Sequence, residues 1–476
     1  MQRCQSIIAG SPVASGESPI EKRYPATGEI IAHIEPATNQ MLDQAVAAAT
    51  AAQKSWARID RAERGRILHK AANLMREAND ELARLEVKDV GKLFSEAVSA
   101  DVPSGPDALD YFASLTATMT GDHFSWEDAI GYSERIPLGV CAGIGAWNYP
   151  VQIACWKAAP ALATGNAFIL KPSEETPLSG QRIAELFHEA GLPDGLFQVI
   201  HGDYRIGQAI CEHPGIAKIS LTGGVETGKL IMAQSASSLK KVTLELGGKS
   251  PLIVFDDCDF DLAVQTALDA NFYTAGEVCS NGTRVFVQDS IADDFVAAMV
   301  EKASAMRVGD PMATDVQMGA LISEKHLARV LDYVEIGRNE GATIATGGNR
   351  VQPQGFENGY FMEPTILTNC TDDMRVVREE IFGPVMSVLT FKTEDEAITR
   401  ANDTKFGLGA GLMTKDLARA HRVAGQLESG NVWVNTFNIL PPGLSFGGAK
   451  NSGFGRENSI YAIEAYTEVR STYIQL

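Results

Sequence analysis

The spacing of hydrophobic positions divides the chain into a helical N-terminal part and a longer part in which strands and helices alternate. From Gln40 to Lys92, apolar residues recur three and four positions apart in an alanine-rich background. That periodicity predicts amphipathic helices. The clearest series are Leu42, Val46 and Ala49, followed by Ile67, Ala71, Leu74 and Met75. We expect these helices to form one layer of the fold.

From Gly139 onward, short apolar runs alternate with helical patterns. Strands are predicted at 167–170, 196–200, 217–221 and 242–246, and helices near 179–190, 204–212 and 225–236. This alternation is typical of a parallel sheet covered by helices. A second unit of the same kind runs from about Gly247 to Arg456, with strands predicted at 251–255, 284–288 and 431–435. The predicted fold class is therefore α/β.

Two further segments have the pattern of antiparallel strands. The polar stretch 120–137 contains short hydrophobic alternation and predicts a hairpin outside the main core. The tail 466–474 alternates like a strand, and a terminal strand of that kind can pair with a neighbouring edge. We find no internal repeat and no low-complexity linker.

Length and charge limit the classes of function. A chain of 476 residues is expected to hold about two or three domains. The 41 basic and 60 acidic side chains give a net charge of −19, which repels nucleic acid phosphates and anionic membrane surfaces. A nucleic acid or membrane partner is therefore not expected.

The most apolar stretch and the N-terminus favour a cytoplasmic protein. The stretch 151–170 is interrupted by Lys157, Pro160 and Asn166, so crossing a bilayer would be costly. The first residues lack the basic start and apolar run of a secretory signal. We therefore expect a soluble chain in the cytoplasm.

The cysteines and histidines indicate neither a disulfide framework nor a metal site. The seven cysteines are widely spread without a CxxC pair, and the eight histidines include no HExxH motif. No metal is therefore predicted. No histidine is an evident partner for Cys279, which argues against a cysteine–histidine hydrolase. A reducing compartment suits a thiol that must stay reduced.

Two glycine-marked segments carry a carboxylate and a thiol. Glu245 lies in the segment 244–249 (LELGGK), and Cys279 lies in 276–282 (GEVCSNG). A thiolate can attack a carbonyl and hold the product as a thioester, which a carboxylate-activated water can hydrolyse. In isolation, a cysteine is usually a small buried hydrophobe and a glutamate a surface residue. Glu245, however, ends an apolar run, where a charge is costly unless it is paired or functional.

A third glycine-rich segment is a candidate phosphate loop. The chain has no GxGxxG after a strand, but Gly223, Gly224 and Gly228 lie at a predicted turn from strand to helix. Backbone N–H groups at such a turn can bind a pyrophosphate. The glycines could equally serve only the turn.

The segments around Glu245 and Cys279, together with Asn148 in 146–150 (AWNYP), resemble the aldehyde dehydrogenase superfamily. The resemblance extends from about residue 20 to the end. It implies a Rossmann-type NAD-binding domain (1–119 and 138–246), an α/β catalytic domain (247–456) and a β oligomerisation element (120–137 and 457–476). A homo-oligomer, either a dimer or a tetramer, is implied as well.

The resemblance also implies the roles of the three central residues. Cys279 would attack the aldehyde, and the Asn148 amide with the Cys279 backbone N–H would bind the oxyanion. After hydride transfer to the nicotinamide, Glu245 would activate the water that releases the acid.

The implied cofactor is NAD. Lys171 and Glu174 match the positions that bind the adenosine ribose, where a carboxylate disfavours the 2′-phosphate of NADP. In isolation these two residues could simply be a solvated charge pair. Glu380 and Phe382 match the nicotinamide-ribose contact and its packing partner, and Trp147 could line the pyrophosphate. The glycine turn matches the cofactor loop of the family.

Three residues depart from the common family pattern. Glu277 stands where many members have glutamine, and a carboxylate so near Cys279 could raise the thiol pKa if it pointed inward. We expect it to point away. Gly224 replaces a frequent serine of the cofactor loop, and Glu226 adds negative charge near the phosphates. These changes bear on the affinity for the cofactor, not on its identity.

Three aromatic residues suggest the substrate class. The placement of Tyr149, Trp156 and Phe446 resembles betaine aldehyde dehydrogenases and their 4-trimethylaminobutyraldehyde relatives, where aromatic rings surround a trimethylammonium group. Each ring could instead be core packing. We therefore expect oxidation of betaine aldehyde to glycine betaine, with 4-trimethylaminobutyraldehyde or another aminoaldehyde as the alternative.

Other functions are possible on this fold, but each would require only some of these residues. A CoA-acylating dehydrogenase or thioester hydrolase would use the cysteine, but Glu245 favours water as the acyl acceptor. A structural protein on this fold, or a simple binding module, would not need Cys279, Glu245 and Asn148 together.

Overall fold

A computed structural model describes residues 2–476. Its strands are β1 (Gln2–Cys4), β2 (Ser6–Ile8), β3 (Ser11–Val13), β4 (Ile20–Arg23), β5 (Ile30–Ile34), β6 (His123–Ser125), β7 (Ala129–Pro137), β8 (Val140–Ile144), β9 (Ala167–Lys171), β10 (Phe197–Val199), β11 (Lys218–Gly223), β12 (Lys241–Leu246), β13 (Pro251–Val254), β14 (Arg284–Gln288), β15 (Thr343–Thr346), β16 (Arg350–Val351), β17 (Phe361–Met362), β18 (Thr365–Thr368), β19 (Val385–Phe391), β20 (Phe406–Gly407), β21 (Gly409–Met413), β22 (Asn431–Val434), β23 (Ala449–Lys450), β24 (Gly453–Phe454) and β25 (Thr467–Gln475).

The helices are α1 (Asn39–Trp56), α2 (Arg61–Glu77), α3 (Asn79–Val90), α4 (Phe94–Glu96), α5 (Ser104–Leu115), α6 (Pro150–Ala163), α7 (Leu178–Ala190), α8 (Tyr204–Glu212), α9 (Val225–Ser235), α10 (Phe260–Phe272), α11 (Ala292–Ala305), α12 (Glu324–Asn339), α13 (Arg375–Arg378), α14 (Glu394–Asn402), α15 (Leu417–Ala424) and α16 (Tyr461–Ala465). The predicted α/β class is confirmed, and the predicted N-terminal helical layer is α1 to α3.

Two large sheets organise these elements. The first has the strand order β24-β12-β11-β8-β9-β10-β2-β3, and its central strands from β12 to β10 run parallel. The second has the order β15-β18-β19-β14-β13-β21-β22 and is parallel from β18 to β22. Because parallel strands end at a common edge, the carboxyl ends of β8, β9, β11 and β12 lie together, which is where such sheets bind ligands.

Each large sheet has its own hydrophobic core. The first core packs α1, α2, α6 and α7 against the first sheet through residues such as Phe168 and Ile219. The second contains Phe286 and Leu389 of the second sheet. A smaller cluster contains Ala108, Trp156, Leu408 and Phe446, with Cys279 and Leu440 packed against it.

The hairpin and the tail form a third sheet. Strand β25 pairs with β7 over its whole length, from Thr467 opposite Pro137 to Gln475 opposite Ala129, and β6 extends the sheet. The predicted hairpin and terminal strand are confirmed. Before β25, Tyr466 packs in the core of the first sheet. The domain boundaries and the oligomerisation role of this sheet remain predictions.

Residues 2–476 contain neither a membrane-spanning helix nor a cluster of metal-binding side chains. None of the described helices is both long and apolar enough to cross a membrane. The described chain also holds no group of three or more histidine, cysteine, aspartate or glutamate side chains placed to bind a metal ion.

Candidate active site

The thiol of Cys279 lies just beyond a tight turn between α10 and β14. Thr274 and Ala275 in this turn have left-handed backbone angles, with φ of 49° and 50°. Such angles are strained for residues other than glycine. The Thr274 N–H donates to the Glu96 carboxylate at 3.1 Å, which helps to hold the turn. The turn presents Cys279, partly buried, to the small cluster that contains Trp156 and Phe446.

Burial and nearby carboxylates keep this thiol protonated. Burial is the largest cause, followed by Glu380 and Glu245, and together they raise the pKa of Cys279 to about 12. Only the thiolate is a strong nucleophile. In the free chain, attack by Cys279 therefore requires removal of the thiol proton.

The raised pKa predicts how alkylation of the free chain depends on pH. Because the thiolate fraction grows about tenfold per pH unit below the pKa, alkylation of Cys279 by iodoacetamide should accelerate about tenfold per unit between pH 7 and 9. Peptide mass spectrometry measures the alkylation rate at Cys279 itself. Cys370, also partly buried and with a pKa that burial raises to about 11, is the internal comparison and should show the same dependence on pH. A rate that levels off below pH 8 would contradict this environment.

Asn148 is buried and points its amide at residues 276–282 around Cys279, here called the nucleophile loop. It follows β8 and precedes α6, which begins at Pro150. Its Nδ2 group donates to the backbone carbonyl of Glu277 at 2.9 Å. One amide N–H is thereby fixed two residues before Cys279, and the second is left for an acceptor near the thiol.

Glu245 is a buried carboxylate without a hydrogen-bond partner. It lies on β12 with 3% of its surface exposed, and within residues 2–476 neither of its oxygens is paired. Burial and Glu457 raise the pKa of Glu245 well above its usual value, against the opposing effect of Lys157. Unpaired buried carboxylates are rare and call for an explanation such as a bound water or a catalytic role. A side chain at Gly447 would place its Cβ 2.9 Å from Oε1, so glycine lets this loop approach the carboxylate.

A buried ion pair near Glu245 could be only partly foreseen from the sequence. Lys157 Nζ lies 2.6 Å from Glu457 Oε1, and Ser220 Oγ donates to the same oxygen at 3.1 Å. A lysine inside the apolar helix α6 indicates that an acidic side chain lies beside it. The partner is 300 residues away along the chain, and no local pattern indicates it.

The predicted ribose-binding pair lies at the carboxyl end of β9. Lys171 is buried, and its Nζ donates to the Pro172 carbonyl at 3.1 Å and lies 3.5 Å from Glu174 Oε2. Burial lowers the pKa of Lys171, and Glu174 opposes that effect. Glu174 keeps 41% of its side chain exposed and so remains open to a ligand.

The three predicted loop glycines have different structural roles. Gly223 ends β11, and Gly224 caps the N-terminus of α9. A Cβ at Gly224 would meet nothing within 4 Å, so the helix N-terminus is open to a phosphate. At Gly228 a Cβ would lie 2.7 Å from the Leu246 side chain. Gly228 therefore allows α9 to pack on β12, and its contribution to a cofactor site is indirect.

Trp147, Glu380 and Phe382, here called the cofactor clamp, lie beside the nucleophile loop. The rings of Trp147 and Phe382 meet edge to face at a centroid distance of 5.2 Å. Glu380 Oε1 accepts the Gly248 N–H at 3.0 Å, and burial raises the pKa of Glu380 to about 7. The structure thus brings Trp147 to Phe382, which is far away in the sequence and only two residues from Glu380.

His326 belongs to the same site but was not predicted. Its ring lies 5.4 Å from that of Trp147, and its Nε2 lies 2.6 Å from the Phe382 carbonyl oxygen. An isolated histidine in the helix α12 gives no sequence signal for this placement.

The predicted aromatic residues differ in their surroundings. Trp156 and Phe446 pack edge to face at 5.8 Å in the cluster that touches Cys279, together with Ala108, Leu408 and Leu440, which the sequence did not single out. Tyr149 donates to or accepts from Thr274 Oγ1 at 3.1 Å. Lys92 Nζ lies 3.9 Å from the centre of the Tyr149 ring. One face of Tyr149 is therefore already occupied by an internal cation.

Comparisons with known proteins show the family of the chain. Residues 13–472 match the aldehyde dehydrogenase family. A betaine aldehyde dehydrogenase of Brucella anthropi is 52% identical over 453 residues, which cover 95% of this chain and 93% of that protein. One of Vibrio vulnificus is 52% identical over 479 residues, covering 100% and 98%.

Solved structures show the same architecture. The NAD⁺ complex of an aldehyde dehydrogenase from Bacillus cereus has a TM-score of 0.97 at 41% identity and covers 100% of this chain and 97% of that one. A betaine aldehyde dehydrogenase from Staphylococcus aureus in complex with NAD⁺ gives 0.97 at 38% identity, covering 99% and 95%. The fold and these relatives define an α/β oxidoreductase. The chain belongs to the aldehyde dehydrogenase family.

Proposed function

We propose that this chain is an NAD-dependent aldehyde dehydrogenase that oxidises betaine aldehyde to glycine betaine through a thioester on Cys279. The observation that carries the proposal is the packing of Trp156 and Phe446 against the Cys279 thiol, close enough to Glu245 for that carboxylate to raise the thiol pKa. The Asn148 amide is bonded to the same loop, two residues before the thiol. The names of the relatives at 52% identity support the substrate. The alternative substrate is 4-trimethylaminobutyraldehyde or another aminoaldehyde.

The first chemical step is attack by sulfur. A base removes the thiol proton of Cys279, and Sγ bonds to the aldehyde carbon. The negative charge that develops on the carbonyl oxygen is bound by the Asn148 amide and the Cys279 backbone N–H. Loss of one such donor typically costs about 10²–10³ in rate. The bond from Asn148 to the Glu277 carbonyl holds the amide in place without reorganisation.

The second step is the loss of hydride from the adduct, which would leave a thioester on Cys279. Bound NAD would supply the hydride acceptor, held by Trp147, Glu380 and Phe382.

The third step is hydrolysis. The ionised form of Glu245 then takes a proton from water, whose oxygen attacks the thioester carbon. The raised pKa makes this form less populated but a stronger base. The sulfur leaves as thiolate, and the carboxylic acid is released. The empty hydrogen-bonding capacity of both Glu245 oxygens suits the binding of this water.

The residues of this chain fit NAD as the cofactor. The open N-terminus of α9 at Gly224 can receive the pyrophosphate, and Lys171 with Glu174 can bind the adenosine ribose. The Glu174 carboxylate would repel a 2′-phosphate, which favours NAD over NADP. The cofactor clamp lies on the nicotinamide side, next to Cys279.

The aromatic pair gives the site a preference for a quaternary ammonium group. Each cation–π contact contributes about 0.5–2 kcal/mol. Trp156 and Phe446 are buried beside Cys279, and none of the cations in residues 2–476 lies over either ring, whereas Tyr149 shares its ring with Lys92. The net charge of −19 adds a general attraction for cations.

We expect a higher kcat/KM for betaine aldehyde than for its neutral isostere 3,3-dimethylbutanal, by about tenfold or more, since 1.4 kcal/mol corresponds to tenfold. Initial rates of NADH formation measure this ratio. Trp156→Phe keeps an aromatic face and should retain most of the preference. Trp156→Leu is its matched control, because it fills similar space without a π face, and it should lose the preference.

Equal efficiency for the charged and neutral aldehydes would reject the ammonium preference and leave a general aldehyde dehydrogenase. A higher kcat/KM for 4-trimethylaminobutyraldehyde than for betaine aldehyde would select the alternative substrate. Leu440 packs in the same cluster, so Leu440→Ala should change the efficiency of the longer substrate more than that of the shorter one.

We further propose that the chain acts in the cytoplasm as a homo-oligomer, a dimer or a tetramer. The third sheet leaves large apolar side chains exposed at Phe124, Trp126 and Tyr473, which is unusual for a free surface. Sedimentation analysis measures the oligomeric state, and a monomer at micromolar concentration would contradict the proposed homo-oligomer.

A further inference from the structure

Glu277 makes contacts in two directions. Its backbone carbonyl accepts the Asn148 amide, as described above. Its side chain, with no exposed surface, accepts the Ile322 N–H through Oε1 at 2.9 Å, while Oε2 has no partner within residues 2–476. Ile322 immediately precedes Ser323, the N-cap of α12. The side chain therefore ties the nucleophile loop to the start of α12.

His326, in the first turn of α12, connects Glu277 to the cofactor clamp. His326 Nε2 lies 3.6 Å from Glu277 Oε1 and 2.6 Å from the Phe382 carbonyl. Phe382 has a left-handed backbone, with φ of 63°, which is strained for so bulky a residue. A strained backbone persists only when its surroundings hold it in place. The His326 contact supplies part of that restraint.

Glu277 and His326 do not form an ion pair at neutral pH. Burial raises the pKa of Glu277 well above the usual value, the Ile322 N–H and Lys92 and Lys22 oppose the shift, and Glu175 adds to it. Burial lowers the pKa of His326 to about 4. The contact between the two side chains at neutral pH is therefore not an ion pair. The Glu277 side chain acts through its hydrogen bond with the Ile322 N–H, which fixes the distance between the nucleophile loop and the start of α12.

We infer that Glu277 is a positioning residue that couples the oxyanion donor Asn148 to the cofactor clamp through Ile322 and His326. The inference rests on the proposed function, since it assigns Glu277 a part in the same reaction. Its side chain does not reach the reacting atoms and points instead to α12. Small displacements of Asn148 or of the cofactor clamp should slow the reaction, because a misplacement of about 1 Å can lower the rate about 10²-fold.

The test compares two substitutions of equal length. Glu277→Gln keeps the Oε1 acceptor for the Ile322 N–H and should give a rate of the NADH burst within about threefold of wild type, with an unchanged pH profile. Glu277→Met keeps the length but removes the acceptor. It should lower the burst rate on the order of 10²-fold and weaken NAD binding, measured by quenching of tryptophan fluorescence. Thermal melting shows whether each variant is folded.

A double-mutant cycle tests the connection itself. If Glu277 acts through His326, the variant that combines Glu277→Met with His326→Ala should be little slower than Glu277→Met alone. Multiplying effects would overturn the coupling, as would a Glu277→Met burst close to wild type or a Glu277→Gln burst as slow as that of Glu277→Met. If Glu277→Met does not fold, the burst rates of Glu277→Gln and His326→Ala decide instead. A His326→Ala burst close to that of wild type would then overturn the coupling. A wild-type chain without aldehyde turnover would refute the proposed function instead, and NAD affinity unchanged in Glu277→Met would then reject the inference separately.

Discussion

Replacing Cys279 by alanine is expected to abolish aldehyde oxidation, by on the order of 10⁴-fold or more, while NAD binding stays nearly intact. The thiol carries the acyl group, whereas the candidate cofactor residues Lys171, Glu174 and Gly224 lie at the ends of other strands. NADH absorbance measures turnover, and fluorescence titration measures NAD binding. Cys370→Ala, at another partly buried thiol, is the matched control and should retain turnover.

Substantial NADH production by the Cys279→Ala variant would exclude the covalent mechanism. Loss of NAD binding together with turnover would show instead that the substitution disturbs the clamp beside the thiol. The two measurements therefore separate a missing nucleophile from a damaged site.

Replacing Glu245 by glutamine should slow hydrolysis of the thioester much more than hydride transfer. The expected trace is a burst of NADH equal to the amount of enzyme, followed by a steady state lower by about 10²–10⁴-fold. The carboxylate is the base for water, and glutamine preserves its shape while removing that capacity. Stopped-flow absorbance resolves the two phases.

Glu464→Gln is a suitable control because that side chain is largely exposed and paired with Arg135. It should leave both phases unchanged. If neither the burst nor the steady state changes in Glu245→Gln, then Glu245 is not the base. If the burst itself disappears, Glu245 is needed already for deprotonation of the thiol.

The sequence predicted most of the regular structure because the relevant signals are local. Alternating apolar residues mark the strand β12, which contains Glu245, and the helical period of apolar residues marks α1 to α3. The glycines at 223 and 224 mark the turn from β11 to α9. In each case a period or a turn residue within one segment was sufficient.

The side-chain networks could not be predicted in the same way. Asn148 and the Glu277 carbonyl are 129 residues apart, and their contact follows from how two sheets meet. The placement of Lys92 over Tyr149 depends on the packing of α3 against α6, and it shows that one face of the Tyr149 ring is not free for a substrate cation. Such contacts have no local period from which they could be inferred.

The most direct test of the central claim is to trap the thioester. The Glu245→Gln variant is mixed with NAD and betaine aldehyde, quenched in acid during the burst, digested, and analysed by mass spectrometry of the peptide that contains Cys279. We predict a betaine acyl group on Cys279, which forms only when NAD is present and in proportion to the NADH produced. NADH formation with no acyl group on Cys279, or with the acyl group on another residue, would contradict the account.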